Sequence, residues 1–325
     1  MLDKDFTGDA ADSARQEVLF LNPAFTHNVW GGSRLREEFG YSVEGTDVGE
    51  CWGISAHPKG ESTVRDGTYA GRKLSWLWET HRELFGNVGG DRFPLLVKLI
   101  DAREDLSIQV HPDDAYASTH ENGALGKTEC WYVLDCPEDA VLIVGHNAST
   151  RQELSDMIRQ GRWGELIREV PVKKGDFIQI PPGTVHSVKG GILLLELQQN
   201  SDVTYRIYDY GRLSDGRPRQ LHVEQGMEVI TVPAAPAEEV VKPAADLPVN
   251  CLNELCRCAY YHVRQLNVEG SFVLEPDAPF LLAAVLSGDG AVNGRPLKKG
   301  DFFLAPNGVG RLAFTGRMEL ILSGV

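Results

Sequence analysis

Four side chains that could bind a divalent metal lie in three short segments of the sequence. Gln109 and His111 belong to LSIQVHPDD. Glu129 belongs to GKTECWYVL, and His186 belongs to IPPGTVHSV. Imidazole nitrogens with carboxylate or amide oxygens, and no thiolate, are typical ligands of a catalytic divalent metal, most often Zn²⁺ or a non-haem metal. Because three or four protein ligands leave a coordination position open for a substrate, the set predicts a catalytic metal site.

Each of these segments is predicted to be a strand or the end of a strand. Residues two apart in a strand point to the same face, so Gln109 and His111 can both face inward while their neighbours pack on the other side. Glu129 directly precedes the apolar run CWYVL, and His186 follows the turn PPGT at a strand entrance. We therefore expect the four ligands to converge inside a small β-barrel.

The sequence repeats itself once. Residues 173–185 read KKGDFIQIPPGTV, and residues 298–309 read KKGDFFLAPNGV. In both copies a Lys-Lys-Gly-Asp turn leads into a short apolar strand, and a Pro and a Gly then form a second turn. His186 follows the first copy, whereas Gly310 and Arg311 follow the second. The second copy is therefore expected to pack without metal chemistry.

The pattern G-D-x-x-x-x-P-x-G-x-x-H in the first copy resembles the second motif of the cupin superfamily, whose fold is an antiparallel jelly roll. QVHPDD and GKTE would then supply the ligands of the first cupin motif. This resemblance implies a mainly β fold with two cupin-type jelly-roll barrels and a few inserted α-helices. The expected segments are a polar N-terminal extension (1–19), a catalytic cupin domain with helical insertions (20–232), a Pro- and Ala-rich linker (233–248) and a degenerate C-terminal cupin domain (249–325).

Periodicity places the inserted helices and several strands. Apolar residues recur at helical spacing in 72–85 and in 150–168. In the second segment Thr150 can cap, Glu153 completes a capping box, and Gly161 is expected to break the segment into two short helices. Apolar runs predict strands at 94–100, 106–111, 130–135, 141–145 and 192–198.

Composition restricts the possible partners and the location. With 32 basic and 46 acidic residues the net charge is −14, which repels nucleic acid and anionic lipid, so neither is an expected partner. No segment reaches 18 consecutive apolar residues, and the polar N-terminus has no apolar run of the signal-peptide kind. We therefore expect a cytoplasmic protein. Its six cysteines are expected to be reduced thiols, with no thiolate site among Cys251, Cys256 and Cys258.

Three basic residues could serve an anionic small substrate. Lys98 lies within LLVKLID, where a lysine is costly unless it faces a pocket or pairs with an acid. Lys127 lies two residues before Glu129. Arg206 lies in NSDVTYRIYDYGR, where an ordinary ion pair on a strand surface is an equal alternative. The tyrosines around Arg206 suggest either a sugar-lined wall or packing.

Several longer blocks resemble the type I mannose-6-phosphate isomerases, especially their short bacterial form. The blocks are NVWGG, GECWGIS, FPLLVKLIDA, LSIQVHPDD, ENGALGKTECWYVLD, IPPGTVHSV and LELQQNSDVTYRIYDYGR. They run from about residue 20 to 232, and the C-terminal part is only loosely similar. Cys51 and Gly53 stand where many members have Ser and Glu, in a segment expected to lie away from the metal.

The resemblance implies a metal-dependent aldose–ketose isomerase, an intramolecular oxidoreductase that interconverts mannose 6-phosphate and fructose 6-phosphate through a cis-enediol intermediate. It implies one Zn²⁺ per chain and a sugar phosphate as the small-molecule partner. Carried over by motif, the site residues are the zinc ligands His111, Glu129, His186 and Gln109, the catalytic Arg206, and the substrate-binding Lys98 and Lys127.

Some choices stay open at this point. The general base could be a metal-bound water, a histidine, or a carboxylate such as Asp209 or Glu196. Two histidines and a carboxylate also describe the facial triad of Fe(II) oxygenases, which metal analysis with an oxygen-uptake assay would distinguish. A regulatory, sugar-phosphate-binding cupin is the non-enzymatic alternative. The intact ligand set argues against it. The oligomeric state is left open.

Overall fold

Strands dominate the chain, and the computed structural model describes residues 17–214 and 216–325. The prediction of a mainly β protein is confirmed. Spatial contacts divide the chain into two units. One contains the described residues up to Ala24 together with Trp52–Leu95 and Asp246–Val325, and the other contains Phe25–Cys51 and Leu96–Ala245. These units do not follow the predicted segments. The boundaries at 232 and 249 stay predictions, and most of the predicted N-terminal extension lies outside the described residues.

The unit that contains the C-terminus is built on an eight-stranded antiparallel sheet. Its buried cluster includes Phe20, Leu266, Phe303 and Phe314. Val18 and Leu19, at the end of the predicted extension, are buried as well. This unit also holds β4 (Ala56–His57), β5 (Gly60–Glu61), α2 (Leu74–Thr80) and a 3-10 helix (Arg82–Phe85). The order in the large sheet is β19 (Leu252–Arg257), β20 (His262–Leu274), β24 (Leu312–Gly324), β21 (Leu281–Val292), β23 (Phe302–Ala305), β1 (Leu19–Asn22) and β6 (Thr63–Val64), with β22 (Arg295–Lys298) paired to β21.

Two sheets form the other unit. A seven-stranded sheet has the order β18 (Val241–Lys242), β12 (Phe177–Ile180), β9 (Glu129–Asp135), β14 (Leu193–Gln199), β7 (Leu95–Asp101), β3 (Val48–Ile54) and β2 (Ala24–Gly32). A five-stranded sheet has the order β11 (Ile167–Pro171), β10 (Val141–His146), β13 (His186–Ser187), β8 (Ile108–Val110) and β15 (Tyr205–Tyr208). The remaining elements are a hairpin, β16 (Leu213–Ser214) with β17 (Arg217–Pro218), and the helices α1 (Arg34–Glu37), α3 (Asp114–His120), α4 (Arg151–Arg159), α5 (Trp163–Leu166), α6 (Val223–Val229) and α7 (Ala237–Val240).

Strand alternation puts one apolar layer between these two sheets and another outside them. Leu142 and Val144 of β10 pack inward against Trp131 of β9 and its neighbours. Ile143, between them in sequence, points outward and packs with Leu154 of α4. The five-stranded sheet is therefore buried on both faces, and a polar side chain on its inner face is enclosed between the sheets.

The hydrogen-bonded path of every large sheet is open. The seven-stranded sheet ends at β18 and β2, the five-stranded sheet at β11 and β15, and the eight-stranded sheet at β19 and β6. Within the described residues no path returns to its first strand. The prediction of two barrels is therefore not confirmed, because the edge strands are not paired with each other.

The repeated sequence folds into a repeated turn. Asp176 Oδ2 accepts a hydrogen bond from the backbone N–H of Lys173, and Asp301 Oδ2 accepts one from Lys298, each at 2.9 Å. The intervening glycines have φ values of 88° and 87°, a left-handed conformation that glycine adopts without steric cost. Each aspartate therefore holds its own turn through a local hydrogen bond.

The helical predictions agree closely with the structure. Residues 72–85 form α2 and the 3-10 helix, and Gly161, with φ 68°, separates α4 from α5 as predicted. Thr150 caps α4 by accepting from Glu153 N–H at 3.2 Å. The Glu153 carboxylate accepts from Ser149 N–H rather than from Thr150. The predicted linker contains α7 and β18, which pairs with β12.

Among the described residues, no helix combines the length and apolar character needed to cross a membrane.

Candidate metal centre

The inner face of the five-stranded sheet carries a row of polar side chains. Gln109 of β8 is the register partner of His186 on one side and of Arg206 on the other. Cross-strand partners share a face, so these three side chains lie on one face of the sheet. Ile108 and Val110 pack in the outer layer beneath the helices, as predicted. His111 follows β8 on the same face as Gln109.

The two histidines meet Glu129 at the start of β9, on the facing sheet. His186 Nε2 lies 3.1 Å from His111 Nε2 and 3.2 Å from Glu129 Oε1, and His111 Nε2 lies 3.5 Å from Glu129 Oε2. All three side chains are buried. Their ligand atoms lie within 4.8 Å of one another, close enough for one metal ion to contact all three.

Hydrogen bonds fix the tautomer of both imidazoles. His111 Nδ1 donates to the carbonyl of Val203 at 2.9 Å, and His186 Nδ1 donates to that of Thr184 at 2.8 Å. Since a carbonyl only accepts, each Nδ1 carries the proton and each Nε2 presents a lone pair. Apart from an ion pair with Lys127, neither Glu129 oxygen accepts a hydrogen bond in the described part of the chain. Buried lone pairs facing one another repel, and a divalent cation relieves that repulsion. The donor set therefore fits a metal.

The fourth predicted ligand, Gln109, lines the same site. Its Oε1 lies 3.5 Å from Ser107 Oγ, at the limit of a hydrogen bond. Gln109 lies beside His186 in the strand register, a position from which its side chain could serve as a metal ligand. Coordination by Gln109 stays a prediction.

Both predicted pocket lysines are buried and paired with acids. Lys127 Nζ lies 2.7 Å from Glu129 Oε2 and 3.6 Å from Glu196 Oε1. Lys98 Nζ lies 3.2 Å from Glu196 Oε1 and 3.6 Å from Glu50 Oε1. The sequence indicated that Lys98, in the middle of an apolar strand, must face a pocket or pair with an acid. The structure shows that it pairs with two acids.

This network sets the protonation states of the site. Burial raises the pKa of Glu129, but the positive charge of Lys127 beside it outweighs burial and holds that pKa well below its ordinary value. Burial lowers the pKa of His186, and burial together with the Lys127 charge lowers the pKa of His111 to about 3. Burial also opposes the charge of Lys98, yet Glu196 and Glu50 raise its pKa. Near neutral pH the site therefore presents an ionised carboxylate and two neutral imidazoles.

Arg206 of β15 lies beside Gln109 in the strand register and is held at two points. Its Nε donates to Ser107 Oγ at 3.2 Å, and its Nη1 donates to the carbonyl of Gln220 at 3.0 Å. Burial, with the nearby charge of Arg219, lowers the pKa of the guanidinium. Asp209, three residues on, accepts hydrogen bonds from both Arg212 and Arg219.

Tyr205, next to Arg206, points the other way. It is buried in the layer beneath the helices, and its hydroxyl donates to Glu121 at 2.8 Å. The suggestion of a sugar-lined wall is therefore wrong for Tyr205, because strand alternation turns it away from Arg206.

The sequence did not identify Glu50 as a site residue. Glu50 lies in GECWGIS, the segment expected to be away from the metal, yet it pairs with Lys98 in the charge network. A buried lysine in LLVKLID indicated that an acid was needed. Only the adjacency of β3 and β7 reveals which acid it is.

Two family models and several curated relatives match this chain, and their descriptions agree with one another. A family model of the type I phosphomannose isomerase catalytic domain matches residues 18–133, and one of the mannose-6-phosphate isomerase cupin domain matches residues 253–325. Mannose-6-phosphate isomerase ManA of Bacillus subtilis (strain 168) is 50% identical over 94% of this chain and 98% of its own. Mannose-6-phosphate isomerase of Streptococcus mutans is 45% identical over 94% of this chain and 98% of its own.

Solved structures show the same fold. The crystal structure of the mannose 6-phosphate isomerase from Bacillus subtilis superposes with a TM-score of 0.87 at 45% identity, over 95% of this chain and 100% of that one. A putative mannosephosphate isomerase from Archaeoglobus fulgidus, at 19% identity, shares the fold with a TM-score of 0.75, over 94% of this chain and 97% of its own. Because a relative with half of its residues identical spans nearly the whole sequence, the chain belongs to the type I phosphomannose isomerase family.

Proposed function

We propose that this protein is a metal-dependent mannose-6-phosphate isomerase, which interconverts mannose 6-phosphate and fructose 6-phosphate through a cis-enediol intermediate. One observation carries the proposal: two imidazole lone pairs and an ionised carboxylate face one another, buried between two sheets. Relatives that cover nearly the whole chain bear this name. The proposed small-molecule partner is then a sugar phosphate. The proposed location of the protein is the cytoplasm.

We propose that His111, Glu129 and His186 hold one Zn²⁺ per chain, with Gln109 as a fourth ligand. Nitrogen and oxygen donors suit zinc, and a bound divalent metal supplies positive charge that polarises the substrate carbonyl. The backbone carbonyls that accept from the two Nδ1 atoms orient both imidazoles in advance. Gln109 is favoured by its place beside His186 in the strand register.

Arg206 is the proposed catalytic residue. Its guanidinium belongs to the same row of side chains as Gln109 and is fixed by Ser107 and Gln220. A fixed positive charge stabilises the negative oxygen that develops as a proton moves between C1 and C2, because no reorganisation is needed during the reaction.

Lys98 and Lys127 are proposed to bind the substrate through its hydroxyl groups. Their ammonium groups already neutralise buried carboxylates, so a phosphate would have to compete with Glu129, Glu196 and Glu50 for them. A hydroxyl can accept a hydrogen bond from an ammonium group without displacing its acidic partner.

Among the carboxylates that the sequence suggested as the general base, we favour Glu196 over Asp209. Burial raises the pKa of Asp209, but Arg219 and Arg212 outweigh it and lower that pKa, so this carboxylate is a poor proton acceptor. Glu196 is the better placed of the two carboxylates that the sequence suggested, because it shares Lys127 with the proposed metal ligand Glu129.

The proposal is tested with His186→Ala. Metal content and isomerase turnover with mannose 6-phosphate should fall together, turnover by more than about 100-fold, because a ligand and its orientation are lost. Arg311→Ala is the matched control. Arg311 stands the same number of residues after the second Lys-Lys-Gly-Asp turn as His186 does after the first, and it is exposed.

The control should keep both metal and activity. Undiminished turnover by metal-free His186→Ala protein would overturn the proposal. Oxygen uptake by an iron-loaded wild-type protein that lacks isomerase turnover would instead place the same ligands in the Fe(II) oxygenase class.

A further inference from the structure

The two histidines of the candidate metal centre are oriented in different ways. His186 Nδ1 donates to the carbonyl of Thr184, two residues earlier in the chain, so a local turn places its acceptor. His111 Nδ1 donates to the carbonyl of Val203, which is 92 residues away in the sequence. The direction of the His111 imidazole therefore depends on the groups that hold the Val203 backbone in place.

Val203 belongs to a connection without regular secondary structure. Residues 200–204 link β14 of the seven-stranded sheet to β15 of the five-stranded sheet, and none of these five described residues is part of a helix or a strand. A strand ladder therefore does not fix their backbone. In such a segment a serine side chain can take over this role by bonding to nearby backbone groups.

Ser201 forms these bonds from a buried position. Its Oγ accepts a hydrogen bond from the backbone N–H of Val203 at 3.3 Å and donates one to the carbonyl of Leu125 at 2.7 Å. Leu125 lies in the segment that leads directly into Glu129. One hydroxyl thus ties the backbone that carries the acceptor for His111 to the segment that carries another of the proposed ligands.

The backbone of Ser201 is itself held by the end of β14. The Ser201 N–H donates to the carbonyl of Gln199 at 2.7 Å, and the Ser201 carbonyl accepts from Gln198 Nε2 at 2.6 Å. Gln198 is fully buried, and its Nε2 also donates to the Gln199 carbonyl at 2.8 Å. The Ser201 hydroxyl is therefore anchored to a fixed strand end, and it transmits a defined position to Val203.

We propose that Ser201 is a positioning residue of the metal centre, whose hydroxyl holds the Val203 carbonyl where it orients the imidazole of His111. This inference rests on the proposed function and adds a residue to the same site. A histidine that binds a metal donates its other ring N–H to an acceptor, and that acceptor sets both the tautomer and the direction of the ring. Because the acceptor of His111 is a backbone carbonyl, its position is set by Ser201.

Loss of the hydroxyl should act on the metal centre through His111. In Ser201→Ala the Val203 N–H loses its acceptor and the Leu125 carbonyl loses its donor. The connection can then move, so its carbonyl no longer fixes the His111 Nδ1–H, and the Nε2 lone pair is no longer held toward Glu129. The orientation of His186 should be unaffected, because its acceptor lies in its own turn.

The first measurement is zinc affinity, determined by competition with a chelator for the wild-type protein and the variants. Ser201→Ala should bind zinc about 10–100-fold more weakly, the range typical of lost partners of metal-binding histidines. Ser201→Thr keeps a hydroxyl group and should remain close to the wild-type affinity.

Ser62→Ala is the matched control. Ser62 is also buried, its Oγ accepts from the backbone N–H of Ser55 and donates to the carbonyl of Gly53, each at 3.0 Å, and it belongs to the unit without the proposed ligands. Its loss removes the same kinds of hydrogen bond. Ser62→Ala should therefore bind zinc like the wild-type protein.

The second measurement follows the imidazoles in metal-free protein by NMR with isotope-labelled histidine. The Nδ1–H groups of His111 and His186 are both buried and bonded to carbonyls, which protects them from exchange with water. Ser201→Ala should shift or broaden the His111 signal and leave the His186 signal unchanged. This readout needs neither metal nor turnover, so it separates failure of this inference from failure of the proposed function.

Three results would each overturn the proposal. They are wild-type zinc affinity in Ser201→Ala, an equal loss of affinity in Ser62→Ala, and an unchanged His111 signal in Ser201→Ala. If Ser201→Ala does not fold, Ser201→Cys takes its place under the same criteria, because a thiol has a similar shape and forms only weak hydrogen bonds.

Discussion

The guanidinium of Arg206 is planar, and the N–H groups that make its two described contacts both belong to that planar group. Nε donates to Ser107 Oγ at 3.2 Å, and Nη1 donates to the Gln220 carbonyl at 3.0 Å. A lysine at this position would keep the charge and lose the fixed fork of donors. Neither contact is made directly to a proposed metal ligand, so we expect that catalysis and metal binding can be separated at this residue.

We expect Arg206→Lys to lower kcat by about 100-fold while the metal content stays at the wild-type level, because one preorganised donor is commonly worth that much. Steady-state kinetics and metal analysis of the same preparation measure both quantities. Arg159→Lys, on the exposed side of α4, is the control and should change neither. Loss of metal in Arg206→Lys would show that the residue has a structural role.

Helix α6 supports the strand that carries Arg206. A Cβ atom added to Gly226 would lie 2.4 Å from Ile207 Cγ2, which is far closer than real contacts. Ile207 belongs to β15, directly after Arg206, and packs in the outer layer beneath the helices. Because Gly226 has no side chain, α6 and β15 can pack at this short distance.

We expect Gly226→Ala to destabilise the protein by about 1–2 kcal/mol, because overpacking outweighs the gain of roughly 1 kcal/mol in helix propensity. The control is Gly164→Ala in α5, where a Cβ would meet no atom within 4 Å. There the propensity gain should remain. Denaturant unfolding of both variants gives the comparison, and equal stabilisation of the two would contradict the packing argument.

The elements themselves were largely predictable from the sequence. Apolar runs placed strands β7, β9, β10 and β14 to within about a residue, because a strand buried on both faces is apolar throughout. Gly161 broke a helix where expected, because glycine readily adopts a positive φ. Residue type and strand alternation were also sufficient to predict that His111, Glu129 and His186 lie close together.

The partners of those residues could not be predicted in the same way. The acid that pairs with Lys98 depends on which strand lies beside β7, and the acceptors for the two imidazoles are backbone carbonyls, which carry no sequence signature. The open sheets were missed for a related reason. A motif defines local turns, whereas barrel closure depends on how edge strands meet.

Across the whole molecule, buried neutral histidines make stability depend on pH. The pKa of His111 falls from its ordinary value of 6.5 to about 3, and burial lowers the pKa values of His146 and His186 as well. As pH falls below about 6.5, the unfolded chain takes up protons at these sites and the folded chain does not. Acid therefore favours unfolding in the window from about 6.5 down to 3.

We expect the free energy of unfolding of the metal-free protein to fall between pH 7 and pH 5, and to fall less steeply in His111→Gln. Denaturant unfolding at several pH values measures both slopes. His120→Gln, at an exposed position on α3, should keep the wild-type slope. An unchanged slope in His111→Gln would show that this imidazole does not contribute to the acid sensitivity.

The two Lys-Lys-Gly-Asp turns separate the residues that hold a turn from the residues that do chemistry. Each Lys-Lys-Gly-Asp turn is held by its own aspartate, and the residue ten positions after that aspartate is His186 in one copy and Arg311 in the other. The aspartate thus serves the fold of its turn, and the chemistry depends on a different residue, which lies beyond the next strand and the Pro-Gly turn. A designer could exchange that residue in either copy while leaving the Lys-Lys-Gly-Asp turn unchanged.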